Sequence, residues 1–104
     1  MQIQINHDNH VRLGADVEQR FAGIIRDSLD RFADRITRIE MHITDENGGK
    51  HGDADKRCML EARLANLQPL AVTHLAATHQ LAFDGALEKL EHAIRHLLGK
   101  LSKH

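Results

Sequence analysis

The chain of 104 residues has no tryptophan, no tyrosine and only three phenylalanines. That scarcity excludes an aromatic platform on which single-stranded bases would stack. One cysteine, Cys58, leaves no internal disulfide to form and points to a reducing compartment. No apolar run approaches the roughly 20 residues of a membrane span, and the opening MQIQINHDNH lacks the basic-then-apolar pattern of a signal peptide. The expectation is a cytoplasmic protein with no membrane partner. Also missing are Gly-x-Ser-x-Gly, a phosphate-binding Walker loop and Gly-x-Gly-x-x-Gly after a strand. Carboxylates are plentiful, but none forms an inward pair on one element. The chain is therefore read as a non-enzyme with no cofactor and no small-molecule substrate.

What is present is a soluble composition, 41% hydrophobic and 28% charged, of a size that predicts one domain over 1–104. The formal net charge of −1 conceals an asymmetry. Residues 1–55 hold seven Lys/Arg against eleven Asp/Glu, or −4, while residues 56–104 hold seven against four, or +3. Five of the nine histidines also fall in the second half. Contact is made by a face and not by the mean, so the second half can still hold an anion.

Alternation over Gln2–Asn6 predicts a strand with Ile3 and Ile5 inward. From Ala15 the period changes, and Val17, Phe21, Ile24, Ile25, Ser28 and Phe32 trace one face of a helix reaching about Ala33, with Leu29 at its edge. Arg38–Thr44 alternates again with Ile39, Met41 and Ile43 inward. A loop rich in turn residues follows over Asp45–Asp53. A third strand has Cys58, Leu60, Ala62 and Leu64 inward and Arg57, Met59, Glu61 and Arg63 outward. Asn66–Pro69 reads as a turn, and Leu70–Leu75 as a fourth strand whose inward face alternation does not assign. Thr78 is a helix N-cap, followed by an amphipathic helix over about His79–Lys100. The fold class is thus α+β, in the order β-α-β-β-β-α. Two helices pack on one face of a four-stranded mixed sheet, with the first two strands parallel and the others antiparallel.

Three constellations could carry chemistry. Cys58 alternates inward, where a small buried hydrophobe is the ordinary role. His92 and His96 lie four apart on the last helix, one turn beyond Glu88, which is metal-ligand spacing without a visible dry surround. Surface histidines are the plainer reading, and no metal is assigned. The third is a stripe of Lys89, His92, His96, Lys100 and Lys103, with Arg95 beside it. Repeated cations at helical intervals suit phosphate recognition, although a solvated charged face has the same spacing. Arg31 with Arg35, and Lys56 and Arg57 with Arg63, extend the stripe only if the fold brings them to it.

Taken in order, MQIQI, LDRFADRI, ITRIEMHI, CMLEARL and AFDGALEKLEHAIRHLLGKL resemble the ribosome hibernation-promoting factors, also described as ribosome-associated inhibitors or sigma modulation proteins. The last segment is the most specific, through Ala82, Phe83, Asp84, Lys89, Leu90, Glu91 and Lys100. The resemblance implies the same β-α-β-β-β-α fold. It also implies binding to the small ribosomal subunit and its rRNA at the subunit interface, which blocks tRNA and mRNA sites in stressed or stationary cells. Lys89 and Lys100 match basic positions of the family, and His92 and His96 stand where it has Arg or Lys. Histidine gains charge in the weakly acidic range, so affinity for RNA is expected to rise between about pH 7.5 and 6. The chain departs from the family at Thr78-His79-Gln80, where an Asp-Met-Tyr is common. It departs also in its first helix, which carries Asp16, Glu18, Asp27, Asp30 and Asp34 with Arg in place of Lys. Ending at His104, it resembles the short form, without the C-terminal dimerisation domain. The alternatives are a divergent member that binds a protein partner through the same fold, and a small metal-binding protein using His92 and His96.

Overall fold

The computed structural model describes residues 1–8, 11–46 and 55–102. The chain runs β1 (Gln2–His7), α1 (Ala15–Leu29), β2 (Ile36–Asp45), β3 (Lys56–Leu64), β4 (Leu70–Ala76) and α2 (His79–Leu101). One four-stranded sheet has the order β1-β2-β3-β4, with β1 parallel to β2 and the other pairs antiparallel. This is the α+β architecture expected from periodicity.

Strand alternation sorts the side chains. Ile39, Met41 and Ile43 on β2 and Cys58, Leu60, Ala62 and Leu64 on β3 point to the helices and are buried. They meet Phe21, Ile25 and Leu29 of α1 and Ala82, Phe83, Ala86, Leu87, Leu90 and Ile94 of α2 in one core. Phe21 and Phe83 stack across it, their ring centroids 4.3 Å apart and their planes 20° from parallel. Such a pair adds roughly 0.5–1.5 kcal/mol to the burial of its area. The opposite face holds an ion-pair network, in which Arg38 meets Glu40 at 3.3 Å and Arg63 meets Glu40 at 3.8 Å and Glu61 at 3.3 Å.

Several boundaries differ from those expected. The first helix stops as an α-helix at Leu29 and tightens into a 3-10 turn over Asp30–Phe32, where the Ala33 N–H reaches the Asp30 carbonyl. Leu29, expected at the edge of the stripe, is fully buried because it lies one turn beyond Ile25 on the same face. Asp45, expected in a loop with little to bury, ends β2 inside the protein. Most of that predicted loop, together with His10 and Lys103, lies outside the described residues. The inward face of β4 is settled by register. Cys58 pairs with His74 and Leu60 with Val72, so Leu70, Val72, His74 and Ala76 face α2. Asn66 takes φ 65°, the left-handed conformation that asparagine tolerates at a turn.

Candidate nucleic-acid interface

α2 begins on a side-chain cap, with Thr78 Oγ1 accepting from the Leu81 N–H at 3.1 Å. Its buried face locks its rotation on β3 and β4. Lys89, His92, Arg95, His96 and Lys100 are consequently all exposed. Contacts divide this exposed surface into two sides. Toward the β4 edge, Lys89 Nζ donates to the Thr73 carbonyl at 2.9 Å, leaving two ammonium hydrogens for other partners. Three turns further on, Lys100 continues that side.

The side toward α1 is different, because there carboxylates answer the cations. Arg31 and Arg95 each donate to Glu91 Oε1 at 2.6 Å, one from beyond the end of α1 and one from α2 itself. Arg31 also lies over the Phe32 ring, 4.9 Å from its centroid. Nearer the start of α2, Arg20 donates to Gln80 Oε1 at 3.1 Å, and Gln80 Nε2 donates to Asp84 Oδ1 at 2.8 Å. Gln80 thus ties the two helices together. The i,i+4 pairs Gln80–Asp84 and Glu91–Arg95 are readable from spacing, whereas their partners on α1 are not.

The other expected cations do not join this face. Arg57 and Arg63 alternate to the open side of the sheet, where Arg57 meets Glu46 at 3.6 Å and Arg63 meets Glu40 and Glu61. Lys56 turns inward between two carboxylates, Asp45 Oδ2 at 3.1 Å and Asp55 Oδ1 at 3.0 Å. The bond to Asp55 is the main reason that its ammonium is held above the ordinary lysine range. Arg35 is exposed at the start of β2, and its carbonyl accepts from the Ala65 N–H.

The Lys56 cluster went unseen in the sequence. Asp45 and Asp55 are 8% and 4% exposed, and the Lys56 charge that makes their burial tolerable reaches Asp45 from across the hairpin and Asp55 from the next residue in the chain. His79 lies beside this cluster with its Nε2 buried and without a hydrogen-bond partner. Burial, and then the charge of Lys56, pushes this imidazole below its ordinary value against the opposing pull of Asp45, Asp55 and Asp8.

Burial raises the Cys58 thiol to about 12, which leaves essentially no thiolate at neutral pH. Among the described residues, no group of three or more His, Cys, Asp or Glu is placed to hold a metal ion. No helix among them is long and apolar enough to cross a membrane.

The architecture defines a small α+β domain with two helices over a mixed sheet. Two solved structures share this fold over nearly their whole length. The N-terminal domain of Protein Y from Thermus thermophilus superposes with a TM-score of 0.72 at 16% identity, covering 93% of this chain and 99% of that one. A ribosomal subunit interface protein from Coxiella burnetii superposes with a TM-score of 0.73 at 15% identity, covering 95% and 99%. No protein-family model matches the chain, and no curated protein matches it by sequence. At the level of fold, the structural neighbours agree with the resemblance carried by the sequence segments.

Proposed function

We propose that this protein is a ribosome-binding translation inhibitor of the hibernation type. It docks on the rRNA of the small subunit at the subunit interface and occupies tRNA and mRNA sites in stressed or stationary cells. The observation that carries this reading is the near end-to-end superposition on a ribosomal subunit interface protein. The exposed cations of α2 supply a contact surface that suits it. Lys89 and Lys100 are the principal phosphate contacts, His92 and His96 lie on the same exposed face, and Arg95 and Arg31 flank it through Glu91. Arg35 and Lys103 extend it in the sequence reading, whereas Arg57 and Arg63 are displaced to the far side of the sheet and Lys56 is committed to its carboxylates. The role is binding, without catalysis or cofactor.

Sedimentation of the protein with ribosomes at low and high salt tests the reading. Phosphate contacts release counterions, so about four of them predict a loss of roughly a hundredfold in affinity between 50 and 200 mM salt. Lys89→Glu/Lys100→Glu is expected to abolish co-migration with the small subunit. Protein that stays at the top of the gradient at every salt concentration refutes the proposal.

A second reading, a partner protein bound through the same fold, is favoured by one observation. The α1-facing side of α2 is charge-compensated, and α1 itself begins with Asp16 and Glu18 in its first turn.

A further inference from the structure

The two edges of the sheet are finished differently. At β4, the Lys89 ammonium closes over the Thr73 carbonyl, and Pro69 stands just before the strand. At β1, the strand Gln2–His7 pairs with β2 on one side only. It contains no lysine, arginine, aspartate, glutamate or proline, the residues with which natural edge strands discourage pairing. Arg26 Nη1 reaches the Met1 carbonyl at 3.1 Å, just outside the strand.

Along this edge runs a groove of about 260 Å³ between β1 and α1, lined by Ile3, Ile5, Ala15, Glu18, Gln19 and Ala22. That is below the roughly 300–1,000 Å³ of small-molecule pockets, so a compact ligand would be poorly enclosed. An added strand fits better. Its main chain would pair with β1 while alternate side chains enter the groove, where Ile3 and Ile5 already lie half-buried.

Charge selects the occupant. Glu18 lies at the groove with about a third of its side chain exposed, and its described counter-group is His7 at 3.8 Å, which is cationic only when protonated. A second copy joined through β1 brings no lysine or arginine side chain to answer it, since the strand reads QIQINH.

We propose that the free edge of β1 and its groove dock an extended peptide segment of a partner protein. The segment adds a fifth strand, places alternating apolar side chains over Ile3 and Ile5, and sets a lysine or arginine against Glu18. The docking edge is at the opposite side of the sheet from Lys89, so it is independent of RNA binding by α2 and stands or falls separately from it.

The test uses the full chain, labelled for amide NMR, and a capped heptapeptide in which valine alternates with lysine and threonine. A matched peptide carries glutamate in place of lysine. Expected are amide shifts confined to Gln2–His7 and the first two turns of α1, with the lysine peptide preferred by about two- to fivefold. Glu18→Lys should reverse that preference while leaving the melting temperature close to wild type, and Ala22→Gln should weaken both peptides by filling the groove. Absence of shifts at millimolar peptide, shifts centred on β4 or the open sheet face, or an unchanged preference in Glu18→Lys each overturn the proposal. A doubling of mass with protein concentration also overturns it, assigning the edge to a second copy.

Discussion

The two helices cover the same sheet by different means. α2 has 23 residues, a threonine cap and six buried side chains, and it lies across β3 and β4. α1 has 15 residues, begins at Gly14 without a side-chain cap, buries three side chains and tightens into a 3-10 turn after Leu29. Their mid-helix glycines show the same contrast. A Cβ at Gly85 would collide with the His74 ring of β4, whereas one at Gly23 would meet nothing within 4 Å. At these two positions α2 approaches β4 closely, whereas α1 leaves open space.

Cutting the contact that the halves share should have the largest effect. Phe83→Ala removes one ring of the stacked pair and is expected to destabilise by about 3–5 kcal/mol in urea unfolding. A loss under about 1 kcal/mol would show that the halves do not share a core at this point.

The glycines sharpen the contrast next. Gly85→Ala should cost about 1–3 kcal/mol, because the added methyl overlaps the His74 ring and forces it to shift. Gly23→Ala should stabilise by up to about 1 kcal/mol through helix propensity alone. Thermal melts that move in the same direction for both variants would remove the distinction between the helices.

The smallest effect concerns pH. The His79 imidazole binds a proton less readily in the folded protein than in the unfolded chain, because burial and Lys56 both disfavour its charged form. The unfolded state therefore takes up more protons as pH falls through the ordinary value of 6.5, and stability declines. His79→Gln should flatten the acidic fall of the melting temperature, and an unchanged slope would assign that fall to other groups.

Much of the fold was legible from local pattern. Ile39-x-Met41-x-Ile43 and Cys58-x-Leu60-x-Ala62-x-Leu64 display the two-residue period of strands with one buried face, and both point inward. Thr78 was legible as a cap because a hydroxyl before an apolar stripe satisfies a free amide. β4 was ambiguous because LAVTHLA carries apolar residues on both faces, and its pairing with β3 was needed to turn His74 inward. The Lys56 cluster was hidden for a related reason, since Asp45 looks like a loop residue until the pairing of β2 with β3 sets it against Lys56 and Asp55.

The candidate interface divides along the same line. Lys89, His92, His96 and Lys100 share one side of a helix by spacing, and that much the chain determined by itself, because 3.6 residues per turn is a local property. Their surroundings were decided only by tertiary structure. Packing set Glu91 between Arg31 and Arg95, swung Arg57 and Arg63 to the opposite side of the sheet, and left β1 as an unprotected edge. Periodicity orients a side chain within its own element, but its charge is opposed or left free by residues that only the packing of distant elements brings near.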